Sequence, residues 1–339
     1  MCKLCGVFVF LGLLTISSRS ASAHDASFVF TTTSLTPYTR AYLGNGFFSM
    51  VTEPVGTRPT ESYMIKIYDH TVDDMPRIAA LPAWNEINFF DGARWLNDAA
   101  PDDGSVASYQ QILNTYDGSL LTSYEWVDGK RRTAVETLAF VSRANPNLTA
   151  IRFTVVPRFS GTVKVLLPIR PWAAPSRLPV ARLENLPHDA GGNAPDVRYS
   201  GHMLVEDRHV RSSAAGGLIS VVSRVEGRSA VVAEVVRAAW PNYLKQVAVR
   251  RITSDYLAGL EVSFQATAGT RFVFYKYVGI VPSFSSDTPA ETAGRVAASA
   301  WARGFQAIFQ EHTAAWHELG KTDILVFVGS SAKSQRHYT

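Results

Sequence analysis

The chain has 339 residues, of which 46% are hydrophobic and 18% are charged. This composition is typical of a soluble globular protein with one large domain or two ordinary ones, and it is too apolar for intrinsic disorder. Lys and Arg number 33 and Asp and Glu number 29, which leaves a formal net charge of +4. So small and scattered a charge argues against nucleic acid as a partner.

Residues 1–23 have the pattern of a secretory signal peptide. A lysine precedes the apolar run Leu4–Ile16, and Ala21-Ser22-Ala23 offers small residues for cleavage. The run is shorter than the ~20 residues that cross a bilayer as a helix. We therefore expect a cleaved leader and a secreted or periplasmic protein with no membrane contact, an uncleaved anchor helix being the alternative. Because Cys2 and Cys5 both lie in the leader, the mature chain is expected to contain no thiol.

Residues 24–283 are predicted to form a mainly β domain, a large antiparallel β-sandwich of two sheets. Short runs rich in Val, Ile, Thr and aromatic residues alternate with turn signals. The clearest hairpin joins Ser119–Val127 to Lys130–Val141 through a predicted two-residue turn at Asp128-Gly129. Further predicted strands are Ala150–Val156, Gly161–Leu167, Leu218–Val225, Ala230–Val236, Gln246–Ile252, Leu260–Ala266 and Arg271–Val278.

Two later segments depart from the strand pattern. Pro171–Val197 is rich in Pro, Ala, Gly, Asn and Asp and is predicted to be a long exposed loop, a binding loop being an equal alternative. In residues 284–320, the run Thr288-Pro289-Ala290-Glu291 combines a capping residue, proline at the first helical position and an acid. This pattern predicts helices, with a break permitted at Gly304. Within residues 321–339, the apolar run 324–328 is predicted to form a final strand.

Residue types that carry chemistry are sparse. The sequence contains no phosphate-binding glycine loop, no nucleophile-elbow serine and no His-Glu-x-x-His motif. The closest histidines, His312 and His317, are five residues apart, about 140° around a helix, which is poor geometry for sharing a metal. The residues themselves therefore predict no metal site, no cofactor and no catalytic group.

The remaining candidates are one carboxylate cluster and two tryptophans. Asp69-His70 with Asp73-Asp74 is either an acid–base pair for sugar chemistry or, in the interpretation we favour, a polar loop that closes a hairpin. Trp84 and Trp172 are weak candidates for stacking on a sugar ring. A tryptophan in a β-sandwich is more often part of the core.

Seven short segments, in order and in spacing, carry a resemblance to a known family. They are Tyr42–Phe48, Ile67–Asp69, Leu81–Asn85, Tyr116–Thr122, Phe140–Pro146, Lys276–Val278 and Glu311–Trp316. Together they resemble the N-terminal domain of glycoside hydrolase family 65. That family includes acid trehalases, the collagen glucosylgalactosylhydroxylysine glucosidase, and the maltose, trehalose and kojibiose phosphorylases. The similarity is best to the trehalase and collagen-glucosidase branch, and the leader favours hydrolysis over phosphorolysis.

The resemblance implies a galactose mutarotase-like supersandwich, linker helices and then an (α/α)6 barrel that carries the catalytic acid. The chain stops where that barrel would begin, and 321–339 reads as its truncated start. Gly320 stands where the family pattern has tryptophan, and Gly329-Ser330-Ser331 replaces Gly-Asp. We therefore expect a module of an enzyme for trehalose- or kojibiose-type α-glucosides that lacks its barrel and is inactive alone. Carbohydrate would be bound through that barrel, and a homodimer is a further expectation.

Two other hypotheses remain open from the residues. One is a stand-alone carbohydrate-binding β-sandwich that uses exposed tryptophans. The other is an epimerase that pairs Asp69 with His70 or His202 in a concave site. Without a barrel, the apolar side of Phe305–Trp316 and the strand 324–328 are expected to lie partly exposed and to cause self-association.

Overall fold

The described part of the chain is a β-sandwich followed by two helices. The structure, a computed structural model, describes residues 28–69, 77–99, 103–171, 201–213, 216–225 and 230–323. Seventeen strands and two C-terminal α-helices confirm the mainly β prediction. The leader, the predicted loop beyond Pro171 and the predicted strand 324–328 lie outside the described residues.

Two sheets divide the strands unequally. The larger contains β1 (Val29–Thr32), β2 (Tyr42–Gly44), β3 (Phe48–Val51), β4 (Ser62–Asp69), β5 (Arg77–Ala80), β7 (Val106–Asn114), β8 (Ser119–Asp128), β9 (Arg131–Val141), β10 (Leu148–Pro157), β12 (Gly201–Ser213), β13 (Gly216–Val225), β14 (Val231–Ala239) and β17 (Phe272–Pro282). Its order is β1-β7-β8-β9-β10-β17-β14-β13-β12-β5-β4-β3-β2. The smaller, ordered β15-β16-β11-β6, contains β6 (Asn88–Phe90), β11 (Gly161–Ile169), β15 (Lys245–Ser254) and β16 (Leu257–Ala266).

Alternating apolar residues of the long strands build the core between the sheets. Every second residue of a strand points to the same face, so Phe272, Phe274 and Val278 of β17 all enter the interior. Val262 and Phe264 of β16 meet them from the smaller sheet. At the far end of the larger sheet, β2 and β3 contact β9, so this sheet curls over and closes the core together with the smaller one.

The outer strand of the smaller sheet, β15, is almost entirely exposed. Among the described strands it pairs with β16 alone. Its pairing register shifts between Lys245 and Ala248, and Gln246 within that shift has a φ of +52°. Lys245, Arg250 and Arg251 place three positive charges along the strand.

The predicted hairpin at β8–β9 forms, but its turn is displaced by one residue. Asp128 pairs with Arg131, so Gly129 and Lys130 are the two turn residues, and the prediction of Asp128-Gly129 was wrong. Gly129 has a φ of +56°, whereas Lys130 does not adopt a positive φ. A positive φ at only the first turn residue is what a type II′ turn requires.

The two predicted helices are α1 (Pro289–Arg303) and α2 (Phe305–Asp323). Gly304, with a φ of +81°, separates them, which confirms the expected break. Pro289 begins α1 as predicted, but the Thr288 hydroxyl forms no capping hydrogen bond. Neither helix is long and apolar enough to cross a bilayer.

Helix α2 packs its apolar side onto the larger sheet. Phe305 and Ile308 are buried against Phe140, Ala150 and Tyr277 of β9, β10 and β17. The expectation that the apolar side of 305–316 lies exposed was therefore wrong, because the outer face of the sandwich itself covers it.

Both histidines of α2 bind the turn that precedes β8, rather than a shared metal. His312 Nδ1 accepts the Arg143 backbone N–H at 3.0 Å, so Nε2 carries the proton and donates to the Gly118 carbonyl at 3.1 Å. His317 Nε2 lies 2.8 Å from the Asp117 carboxylate. Its ring stacks on Tyr116 with 3.9 Å between centroids.

Gly118 gives α2 its close approach to the sheet. Its φ is +63°, and a Cβ at this position would overlap the indole of Trp316. Gly129 has a similar φ but no atom within 4 Å of a built Cβ. The two glycines therefore share a backbone constraint and differ in packing.

We predict that Gly118→Ala destabilises the protein more than Gly129→Ala. Both substitutions place an L residue in the left-handed region, at about 1–2 kcal/mol. Only Gly118→Ala also overpacks the contact with Trp316, which adds roughly 1–3 kcal/mol. Urea unfolding midpoints of the two variants measure the difference, and equal midpoints would contradict tight packing of α2 on this turn.

A second prediction concerns acid stability. Burial lowers the pKa of His312 to about 4. Hydrogen bonds to the Asp117–Gly118 turn act in the opposite direction. Of the ionisable neighbours, the Asp117 charge raises this pKa and the His317 charge lowers it. Below pH 6.5 the unfolded chain binds a proton that the folded chain does not, so stability falls as the pH falls. Between pH 7 and pH 5 the free energy of unfolding of the wild type should fall by about 2 kcal/mol more than that of His312→Gln. If the two proteins lost stability equally as the pH fell, the assignment of His312 as a buried neutral imidazole would be wrong.

Candidate functional site

Three loops and the end of β11 meet beside the smaller sheet. They enclose an open pocket of about 440 Å³. We call this region the polar end and define it by Arg58, Glu86, Asn88, Asn97, Asp98 and Arg170. Arg58 belongs to the β3–β4 loop, Glu86 to the β5–β6 loop, and Asn97 and Asp98 to a short 3-10 helix after β6.

The Asn97 side chain joins the three loops. Its carboxamide Oδ1 accepts the Thr57 hydroxyl at 2.8 Å, and Nδ2 donates to the Thr57 carbonyl at 3.0 Å. Its backbone N–H donates to Asn88 Oδ1 at 3.0 Å. Asn97 Nδ2 also lies 3.4 Å from the Ile87 carbonyl, so Asn97 links the 3-10 helix to the β3–β4 loop and to the β5–β6 loop.

A buried carboxylate shapes the β3–β4 loop that carries Arg58. Glu53 accepts the backbone N–H groups of Val55 at 3.0 Å and Arg58 at 3.1 Å. Burial raises the pKa of Glu53, and these hydrogen bonds lower it. Gln111 of β7 donates to the Glu53 and Pro54 carbonyls from below. The Arg58 guanidinium, held in this way, donates to the Ala99 carbonyl across the pocket.

Glu86 and Arg170 form a bidentate ion pair at the pocket wall. Arg170 Nε and Nη2 lie 2.5 and 2.8 Å from the two Glu86 oxygens. The Glu86 side chain is 3% exposed and that of Arg170 is 35% exposed. The hydrogen bond to Glu86 raises the pKa of Arg170. Glu86 is thus fully engaged, and the guanidinium is the part of the pair that a ligand can reach.

Lys276 of β17 fixes the backbone beneath this pair. Its ammonium is completely buried and donates to the carbonyls of Trp84, Glu86 at 3.0 Å and Pro168 at 2.5 Å. Burial lowers the pKa of Lys276 to about 7, which nearby Glu86 and Glu234 oppose. Three carbonyl acceptors use all three hydrogens of the charged form.

Glu234 of β14 is the second buried charge in this part of the core. It is fully buried, and neither carboxylate oxygen has a hydrogen-bond partner in the described residues. Burial raises the pKa of Glu234 well above its usual value, and Lys276 lowers it. The acid therefore depends on the lysine as its counter-charge.

The described residues of the polar end are mostly cationic and carboxamide side chains. Of the described residues that line the pocket, the only carboxylates are Glu86, which is paired, and Asp98, which is exposed. Inverting hydrolysis needs two carboxylates about 6.5–9.5 Å apart on either side of the bond. In the same part of the chain, no three His, Cys, Asp or Glu side chains are placed to hold a metal.

The tryptophan candidates do not form an exposed sugar platform in the described residues. Trp84 is 1% exposed, donates to Ser62 Oγ at 3.1 Å and lies 5.9 Å from the Phe48 ring. The stacking hypothesis for Trp84 is therefore corrected to a core role, because both ring faces are covered. Trp172 lies outside the described residues.

The carboxylate cluster is only partly described. His70, Asp73 and Asp74 lie outside the described residues. The backbone places Asp69 of β4 opposite Arg77 and His202 of β12 opposite Ala80, with β5 between the two strands. The epimerase hypothesis gains no facing pair from this register.

Sequence reasoning missed Arg58, Asn97 and Arg170, because their partners lie in distant loops. Lys276 did leave a signal. It occupies an inward position of the apolar run Phe272–Pro282, where every second neighbour is a core residue. A lysine at such a position predicts a buried cation with several acceptors.

We predict that Lys276→Met destabilises the protein by roughly 3–5 kcal/mol, since three carbonyls lose their donor and Glu234 loses its counter-charge. Lys164→Met is the matched control: Lys164 pairs with Glu261 at 3.3 Å on a half-buried surface. Its replacement should change stability by about 1 kcal/mol or less. Unfolding midpoints in urea compare the two, and equal effects would contradict the role of Lys276.

The fold of this chain resembles that of a solved structure at low sequence identity. A putative kojibiose phosphorylase from the human microbiome superposes with a TM-score of 0.64 and 11% identity over 87% of this chain and 37% of that chain. A family GH92 α-mannosidase from Bacteroides thetaiotaomicron covers 87% of this chain and 35% of that chain, with 12% identity and a TM-score of 0.39. The chain therefore spans little more than a third of each structure. A comparison with curated protein sequences gave no match.

A sequence profile identifies the family. The profile of the glycosyl hydrolase family 65 N-terminal domain matches residues 38–319. The matched region begins before β2 and ends within α2, so it includes nearly all of the sandwich and both helices. The chain belongs to glycoside hydrolase family 65 through this N-terminal domain.

Proposed function

We propose that this chain is the N-terminal module of a secreted family 65 glycoside hydrolase that acts on trehalose- or kojibiose-type α-glucosides. In this proposal the sandwich supports a separate catalytic domain, and the 339 residues alone cleave no glycosidic bond. The polar end is the surface of the sandwich that takes part in carbohydrate handling by the whole enzyme.

The observation that carries the proposal is the profile match over residues 38–319. It is supported by the fold likeness to the putative kojibiose phosphorylase, of which this chain covers only 37%. A catalytic domain has ample room in the remainder of a protein of that length.

The chemistry of the polar end supports the same division of labour. Its Glu86 carboxylate is bound by Arg170, so the described residues of the pocket offer no opposed acid and base to activate water. Its guanidinium and carboxamide groups can bind sugar hydroxyls or polar groups of a neighbouring domain. The secretory leader, which we infer from residues 1–23, favours hydrolysis outside the cell as the reaction of the whole enzyme.

The proposal predicts that the purified chain is inactive. We expect no glucose or glucose 1-phosphate from trehalose, kojibiose or maltose, with or without inorganic phosphate, when products are separated by anion-exchange chromatography. An intact family 65 phosphorylase under the same conditions is the positive control. Product formation that co-elutes with the chain in size-exclusion chromatography would refute the proposal.

A further inference from the structure

The outer face of the larger sheet carries a second open pocket of about 440 Å³, away from the polar end. We call it the outer groove, lined by Ser123, Glu125, Glu136, Thr154, Arg158 and Arg271. Strand register explains why polar groups gather there. Glu136 of β9 lies directly opposite Ser123 of β8 on one side and Thr154 of β10 on the other. These three side chains therefore form one row across three strands.

Helix α2 covers the same face further along the strands and leaves this row free. Phe140, four residues beyond Glu136 on β9, is buried under Phe305 and Phe309. Because alternate residues of a strand share a face, Glu136 and Phe140 point to the same side of the sheet. The outer groove is thus the part of this face that the helix does not cover.

The groove has an excess of positive charge. Glu136 pairs with Arg152 at 3.0 Å and Glu125 pairs with Arg132 at 2.7 Å, so each of these acids is neutralised. Arg158 and Arg271 are both exposed, and neither forms an ion pair within the described residues. Two guanidinium groups at one pocket therefore remain available to an anionic ligand.

A buried polar group at the floor also lacks a partner. Thr154 lines the groove and is only 4% exposed, and its hydroxyl has no hydrogen-bond partner in the described residues. Leaving a buried polar group unsatisfied is unfavourable. A hydroxyl-bearing ligand that enters the groove can supply the missing partner.

Backbone strain marks the rim of the groove. Ser108, which also lines the pocket, has a φ of +53°, within a register shift between Ala107 and Gln110 of β7. Such bulges re-aim side chains, and a strained residue at a pocket supports a functional hypothesis. Here the bulge turns a hydroxyl-bearing residue toward the charged row.

We propose that the outer groove binds an oligosaccharide that carries carboxylate groups, such as a chain of uronic acid units. The guanidinium groups of Arg158 and Arg271 bind a sugar carboxylate, while Glu125 and Glu136 accept hydrogen bonds from sugar hydroxyls. An acidic peptide supplies the carboxylates but no hydroxyl donors for these acids, so the saccharide fits better. The site goes beyond the proposed function, which requires no ligand on this face.

Titration calorimetry of the full chain tests the proposal. Trigalacturonate should bind, and neutral maltotriose should bind at least tenfold more weakly. Hexa-aspartate, an acidic peptide of similar reach, should also bind at least tenfold more weakly. Absence of heat from trigalacturonate, or an affinity for maltotriose or hexa-aspartate equal to that for trigalacturonate, would overturn the assignment.

Matched variants locate the site. Arg158→Gln with Arg271→Gln should weaken trigalacturonate binding at least tenfold. Lys245→Gln with Arg251→Gln removes the same charge from exposed positions of β15 and should change affinity less than twofold. Thr154→Val, of nearly equal volume, should weaken binding without altering the circular dichroism spectrum. Equal losses of affinity in the two double variants would show that trigalacturonate is attracted by the overall positive charge, and would refute binding in the outer groove.

Discussion

The arrangement of the two sheets and the polar end depends most on the hydrogen bonds of the buried Lys276 ammonium group. Lys276 belongs to a central strand of the larger sheet, yet its three acceptors lie in the β5–β6 loop and in β11. A buried cation is tolerated only when each of its hydrogens is bound, so these backbone segments have little freedom. The Glu86 carboxylate, and through it Arg170, take their positions at the polar end from a contact made inside the core.

The sequence predicted the long strands and the helices better than the short strands. β8, β9 and β13 alternate buried and less buried residues along ten or eleven positions, and that period identifies a half-buried strand. β2, β3, β5 and β6 have three or four residues each, too few for a period to emerge. β12 has many exposed charged residues and gives no apolar pattern. The predicted turn was one residue too early because Gly129 can be the first or the second residue of a two-residue turn.

The site was less predictable than the fold, for a physical reason. Asn97, Arg58 and Arg170 act through partners up to 84 residues away, and local sequence carries no record of such pairs. The tryptophans drew attention as sugar platforms, but Trp84 has a hydrogen-bond partner in the core and lies against Phe48. His312 also has a structural role, because its neutral ring joins α2 to the sheet. His312 and His317 both bind the turn at Asp117-Gly118, which accounts for their spacing along the helix.

The exposed strand β15 has a consequence for how copies of this protein meet in solution. An unpaired strand edge offers a row of free N–H and C=O groups to another strand. Along β15, however, the bulge at Gln246 interrupts that row, and two copies aligned there would bring the positive charges of Lys245 and Arg251 close together. Like charges at such distances repel. The edge therefore opposes fibre growth by its own charge and geometry.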